Sequence, residues 1–315
     1  MSPVIETALF IFGLIACGYL SGATGYLKIE VGDGLSAFAV RVALPCMLFS
    51  TLTKASFSGL PWGLWGVYFV AVIVAWTVGH LVMSRLFGRD AQASVVGGVC
   101  AAFSNLVLLG SPFTLGIYGQ PGFELLSLLI SIHLPIMLMA SMVMFQLYGR
   151  HMGGPFEPLA FLRYFLIQLV RNPLVVAIAG GLLWRAGGLG LPGFVDRIVD
   201  GLAVAAGPVA LFAMGLGLRK FGISGNVRPA VVLSFVKLMV MPAIALGVAL
   251  LVGLPPLTTQ VLVTAAGLPA GINSYLIAIQ FGTGQGLASN QMTLTTAGAA
   301  VTTSFWLMVL HHVFA

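Results

Sequence analysis

The sequence predicts an all-α polytopic membrane protein of about ten transmembrane helices, arranged as two inverted five-helix repeats in which helices 4 and 9 are broken. Three observations predict it: a composition unfit for a water-facing surface, apolar runs of membrane length, and positive charge gathered on alternate loops. Of the 315 residues, 59% are hydrophobic and 7% charged, whereas a soluble domain carries about a quarter charged residues. The bilayer hydrocarbon is roughly 30 Å thick and takes about 20 apolar residues per helical crossing. The chain length is therefore used up by about ten crossings and short loops, with no room for a sizeable soluble domain.

Apolar runs bounded by Gly, Pro or charge clusters place the spans at 4–21, 34–53, 63–87, 93–117, 123–148, 161–185, 197–218, 230–253, 257–281 and 291–314. Arg171-Asn172-Pro173 interrupts the sixth, so its start is the least defined boundary. The opening MSPVIETALF has no positive n-region and Glu6 as its only charge, so the first run reads as a retained span rather than a cleaved leader. The organisation is then a first repeat at 1–148 (helices 1–5), a short cytoplasmic connection at 149–160 and a second repeat at 161–315 (helices 6–10).

Orientation follows from Lys and Arg. Arg41 and Lys237 fall inside spans; Lys28, Arg85, Arg89, Arg150, Arg163, Arg171, Arg219, Lys220 and Arg228 fall on one side, and only Lys54, Arg185 and Arg197 on the other. The richer side is cytoplasmic by the positive-inside rule, which puts both termini outside the cytoplasm; the expected location is the cell inner (plasma) membrane. The net charge of +6 is a record of topology rather than of nucleic-acid binding.

The two halves share features. Pro45-Cys-Met-Leu-Phe49 in the second span matches Pro208-Val-Ala-Leu-Phe212 in the seventh, and Pro45 and Pro208 would position those helices. Asn105 and Asn273 are offset by 168 residues, as are Pro61 and Pro229 before the third and eighth spans. The fourth span carries Gly97-Gly98, Ser104-Asn105 and Gly110-Ser-Pro112; the ninth carries Gly267-Leu-Pro269-Ala270-Gly271-Ile-Asn273-Ser274. Pro removes a backbone donor and Gly leaves helical geometry at little steric cost. Backbone unwound at membrane depth is tolerated only beside a protein-lined cavity. Half-helix N-termini there suit an anion, freed carbonyls suit a cation, and Asn offers both donor and acceptor. Ser104, Asn105, Pro269, Ala270, Gly271 and Asn273 are therefore the candidate substrate residues, with Ser274 a candidate for ion coupling. The plain alternative is a pair of proline kinks with satisfied asparagines.

These pieces, ALPCMLF at 43–49, AAFSNLVLLGSP at 101–112, RNPLVVAIAGGLL at 171–183, GPVALFAMGLGL at 207–218, VKLMVMP at 236–242 and LPAGINSYLIAIQFG at 268–282, resemble the auxin efflux carrier family, whose plant branch contains the PIN exporters. The resemblance is to a bacterial member and runs through most of the chain. It implies ten helices, two inverted repeats, non-cytoplasmic termini and a substrate site where helices 4 and 9 cross. Small mono- and dicarboxylates such as malonate, malate or lactate are the implied cargo, with auxin-like indole acids as the alternative within the family. Two departures stand out: Ser104 replaces the proline that plant carriers place before the fourth-helix asparagine, and the long central loop of the plant proteins is absent.

Charges inside the membrane are costly and usually functional. Arg41, one turn before Pro45, is a candidate bidentate grip on a carboxylate, against a snorkelling role at the interface. Lys237 is a candidate for ion coupling, against a structural contact to a carbonyl freed near Pro242. His80 and His133 could each carry a coupled proton, or sit neutral between helices. All eight acidic residues lie in loops or near span ends, which disfavours a carboxylate-based cation antiporter. Cys17, Cys46 and Cys100 have no metal-ligand spacing and read as small packing residues; Gly180-Gly181 and Gly215-x-Gly217 read as close-packing sites. No catalytic constellation, cofactor motif or metal site is legible. The implied partners are a small organic anion, the lipid bilayer, and either no coupled ion or a proton or sodium ion, with a homodimer compatible with the architecture. A membrane ligand sensor without transport is the reading from another class.

Overall fold

A computed structural model describes residues 3–55, 61–148, 158–188, 190–220 and 225–314. Most of the connection expected at 149–160, Arg150 included, lies outside them. Every regular element among the described residues is helical: α1 (Pro3–Ala23), α2 (Ile29–Phe38), α3 (Leu44–Lys54), α4 (Trp62–Leu81), α5 (Ala91–Ala102), α6 (Ser111–Tyr148), α7 (Pro158–Arg171), α8 (Pro173–Ala186), α9 (Gly193–Gly217), α10 (Val227–Phe235), α11 (Met241–Val252), α12 (Pro256–Gly267), α13 (Ile272–Gln280) and α14 (Gln285–Phe314). Seven helical segments are long and apolar enough to cross a membrane. An eighth is the pair Leu162–Arg171 and Pro173–Ala186, bent by 77° where Arg171-Asn172-Pro173 interrupts the apolar run. The protein is thus polytopic and all-helical. The spans expected at 93–117 and 257–281 are not among these segments, since the chain breaks within each: α5 and α12 have 12 residues apiece, a rise of about 18 Å. Leu106–Tyr148 counts once at 43 residues, yet its backbone leaves helical geometry at Gly119 (φ 63°, ψ −162°), a conformation open to glycine alone.

Prolines shape the long helices. A helix-interior Pro returns no hydrogen bond to the carbonyl four residues back, and its ring crowds that carbonyl. Ahead of Pro45, Pro112 and Pro242 the chain widens into five-residue π turns, Ala39–Ala43, Leu106–Gly110 and Val236–Val240. Both intramembrane cations, Arg41 and Lys237, sit in such turns. The carbonyl orphaned by Pro242 is that of Leu238, and the buried Trp306 indole N–H donates to it at 2.8 Å. Pro208, by contrast, lies inside the unbroken α9.

The chain divides into two compact units. The first comprises Met1–Leu60, Val107–Ile132 and Phe156–Lys220. Here α1 lies on α9 through reciprocal glycines: a Cβ on Gly18 would strike the Phe212 carbonyl, and one on Gly215 the Ile15 carbonyl. Such small-residue contacts let helix backbones approach without a hydrophobic driving force. Gly217, expected to share this role, faces open space, so only the first glycine of that pair is a packing position. At one end of this unit Lys54 bridges Asp196 at 2.8 Å and Asp200 at 2.9 Å, and the Ser50 hydroxyl donates to Asp200 at 2.6 Å. These half-exposed pairs add at most about 1 kcal/mol.

The second unit comprises Pro61–Leu106, His133–Pro155 and Phe221–Ala315. Helix α4 packs on α5, with Gly79 against Gly97 and the Trp76 ring against Gly98. Asp90 caps α5, accepting from the Ala93 N–H at 2.8 Å. Helix α14 touches α5, α10, α12 and α13 and so backs both broken spans.

Candidate functional site

The two helix breaks meet inside the second unit, and the backbone bonds that each gives up are exchanged with the other. Phe103 (φ −82°, ψ 101°) and Leu268 (φ −64°, ψ 152°) carry the chain out of α5 and α12 in extended conformation. Ser104 and Ala270 then form an antiparallel bridge. The Asn105 N–H donates to the Pro269 carbonyl at 2.9 Å, and the Gly271 N–H donates to the Phe103 carbonyl at 3.0 Å. In continuous helices those two N–H groups would have bonded Ala101 and Gly267. The first break therefore forms without a proline at Ser104, because its partner strand supplies what the missing turn would have supplied.

Buried side chains take three of the backbone groups that this exchange leaves over. The Ala266 carbonyl, which Ala270 would have served, accepts from Lys237 Nζ at 2.6 Å. The freed Ala270 N–H donates to Thr295 Oγ1 at 3.1 Å. The Cys100 carbonyl, which Ser104 would have served, accepts from Gln291 Nε2 at 3.0 Å. Lys237, Ala270, Gln291 and Thr295 are all fully buried. Lys237 also reaches the Met241 sulfur at 3.5 Å. The freed carbonyl it meets belongs to α12, beside Gly267 that packs on Pro242, while Trp306 holds the Leu238 carbonyl.

The asparagines differ in setting. Asn105 lies in the break itself and is buried, whereas Asn273 is two residues past the Gly271 N-cap of α13 and half-buried. The Asn273 amide has no hydrogen-bond partner among the described residues. Ser274 is turned back on its own helix, its hydroxyl donating to the Gly271 carbonyl at 2.7 Å. Behind the crossover, the Tyr68 hydroxyl faces the Ser104 hydroxyl, yet neither completes a hydrogen bond. His133 is buried with its ring 5.4 Å from Tyr68 and 4.9 Å from Phe103, and its nitrogens bond no side chain among the described residues. It sits between two aromatic rings, with the Ser104 backbone the polar group beside it.

The remaining predicted residues lie elsewhere. His80 is half-buried against the Tyr148 ring, 5.3 Å away. Arg41 is exposed and, with Pro45 and Pro208, belongs to the first unit. Pro208 there lines an apolar cavity of about 300 Å³ with Met47, Pro112 and Leu211. Sequence reasoning missed Tyr68, Gln291 and Thr295. The run Ser289-Asn290-Gln291-Met292-Thr293-Leu294-Thr295-Thr296 was the available signal, a polar stretch inside an otherwise apolar span.

Chemically, the site combines a half-helix N-terminus, an amide without a hydrogen-bond partner among the described residues, and the Lys237 amine on the Ala266 carbonyl. The second unit has one acidic residue in its sequence, Asp90, and it is engaged as a helix cap. Among the described residues no three His, Cys, Asp or Glu side chains cluster at metal-binding distance.

Comparison with known proteins gives matches along nearly the whole chain. The profile of a family described as membrane transport protein matches residues 3–307. An "Uncharacterized transporter" of Methanothermobacter thermautotrophicus is 26% identical, over 97% of this chain and 98% of its own. A "Putative malonate transporter" of Rhizobium meliloti is 25% identical, over 94% of this chain and 92% of its own. A "Lysosomal cholesterol signaling protein" of Mus musculus is 23% identical over 65% of this chain, which is 24% of the mouse protein's length.

Proposed function

Since the chain belongs to the membrane transport protein family, that of the auxin efflux carriers, we propose that it is a secondary transporter of small organic anions, working by alternating access at the crossover. The observation that carries this reading is the Asn273 amide, half-buried and unengaged, at the N-terminal end of the half-helix α13. A helix N-terminus presents unpaired N–H groups and about half a positive charge, which favours a carboxylate. Lys237 adds positive charge in the same unit, and no free carboxylate opposes it there. A protein named as a malonate transporter among the relatives supports a mono- or dicarboxylate such as malonate, malate or lactate as cargo.

In this reading the substrate is held by Ser104, Asn105, Pro269, Ala270, Gly271 and Asn273, with Arg41 as a carboxylate grip on its route. The ten spans form inverted repeats at 1–148 and 161–315, the termini face away from the cytoplasm, and the chain resides in the inner membrane, alone or as a homodimer.

The test is uptake of labelled malonate, malate, lactate and indole acetate into proteoliposomes, with Asn273→Ala and Asn105→Ala alongside. Losing a hydrogen bond to a charged group costs about 1.5–3 kcal/mol, so Asn273→Ala should lower carboxylate uptake about tenfold or more. Its thermal midpoint should stay near wild type, since no partner among the described residues is lost. Uptake indifferent to both substitutions would remove the site from the crossover. The mouse relative named as a signalling protein favours a second reading, a ligand sensor. Saturable carboxylate binding without flux would select it.

A further inference from the structure

The half-helix α12 ends at the buried Gly267, with no following turn to receive its last carbonyls. Pro269 has no N–H for the Ala265 carbonyl, and the Ala270 N–H is committed to Thr295. This C-terminal end carries about half a negative charge. In secondary transporters built on discontinuous helices, such carbonyl ends hold a free sodium ion or proton. Here a side chain occupies that position. Lys237 Nζ lies 2.6 Å from the Ala266 carbonyl, and Lys237 is fully buried.

No carboxylate pairs with Lys237 among the described residues; the ion pairs found there join Lys54 to Asp196 and Asp200. The nearby titratable group is His133, which lies within electrostatic reach and makes no hydrogen bond to a side chain among the described residues. The corresponding end of α5 is closed by a neutral group, the Gln291 amide on the Cys100 carbonyl. The two half-helix ends are thus treated differently, one by an amide and one by an ammonium. A buried ammonium is costly unless it is held by oxygen ligands and opposite charge. The carbonyl end of α12 supplies both.

We propose that the Lys237 ammonium is a tethered monovalent cation, occupying the position at the end of α12 that a free alkali cation would otherwise need to fill. The crossover is then assembled at all times, and substrate binding does not require sodium or potassium. The π turn at Val236–Val240 serves this arrangement. It changes the helix phase by one residue and brings Lys237 to face the break rather than lipid. The inference rests on crossover geometry and not on the identity of the cargo.

Lys237→Ala removes three methylenes and the ammonium, the atoms of n-propylammonium. Thermal unfolding of the purified protein in nanodiscs is read for wild type, Lys237→Ala and Lys237→Met. Each is measured with the chloride salts of sodium, n-propylammonium and tetramethylammonium, and with n-propanol. We expect both variants to unfold at lower temperature. Propylammonium should restore Lys237→Ala but not Lys237→Met, whose side chain blocks the space. Tetramethylammonium, which has no N–H, and propanol, which has no charge, should fail. Restoration by propanol to the same extent would reduce Lys237 to packing and overturn the proposal. So would a Lys237→Ala protein as stable as wild type in every salt. Should neither variant fold, wild type decides: its midpoint should not change when sodium and potassium are replaced by N-methylglucamine, and a sodium-specific stabilisation would overturn the idea. None of these readings uses transport, so failure of the carboxylate assignment would leave them intact.

Discussion

Thr295→Val tests whether the crossover is held by side chains that complete its backbone. The Thr295 hydroxyl accepts from the Ala270 N–H at 3.1 Å and donates to the Gln291 carbonyl at 2.7 Å. Valine keeps the shape and the β-branch but puts a methyl where the acceptor stood. Ala270 is fully buried, so its N–H has no water to turn to. An unsatisfied buried donor costs about 1–3 kcal/mol. Intramembrane hydrogen bonds fall towards the lower end, near 0.6 kcal/mol on average, because the unfolded segment also finds partners. At about 2 °C per kcal/mol for a chain of this size, the thermal midpoint should drop by roughly 1–6 °C. Two controls isolate the cause. Thr295→Ser retains the oxygen and should stay within about 1 °C of wild type. Thr296→Val removes a hydroxyl that only donates to the Met292 carbonyl on its own helix, at 2.8 Å, and should cost little. Midpoints would be read by intrinsic fluorescence in nanodiscs, with ligand uptake measured in parallel. Equal midpoints for Thr295→Val and Thr296→Val would refute the claim that Thr295 carries the Ala270 bond.

Other substitutions separate packing from backbone completion. Trp306→Phe leaves the Leu238 carbonyl beside Pro242 without its donor and should destabilise by about 1–3 kcal/mol, measured as a lower thermal midpoint. Gly215→Ala drives a methyl into the Ile15 carbonyl of α1 and should cost about 1–3 kcal/mol, while Gly217→Ala, facing open space, should be near neutral. A thermal shift for the two glycine variants side by side checks this; equal effects would refute the reading of Gly215 as the contact point.

Much of the architecture was legible without coordinates. Composition demanded a bilayer, since a chain with so few charges cannot be solvated. Gly and Pro in the fourth and ninth spans marked two breaks, because their effect on the backbone is local and independent of the surroundings. The same holds for Arg171-Asn172-Pro173, which bends the sixth span by 77°. Ser104 shows the limit of such local reasoning. Nothing in its own side chain forces the chain out of α5, and the break exists because the segment around Ala270 offers the bonds that the helix gives up.

What the sequence determined by itself was therefore what depends on single residues and on solvent: a polytopic helical protein, its broken spans, and intramembrane cations that need a reason. What only the tertiary structure decided was the partner of each freed group. Lys237 reaches the Ala266 carbonyl across 29 residues, Gln291 reaches Cys100 across 191, and Trp306 reaches Leu238 across 68. Such pairs join groups distant in the chain, and no propensity or period encodes them. In an apolar interior every unpaired backbone group must find a partner, and only the folded arrangement of helices settles which side chain is within reach.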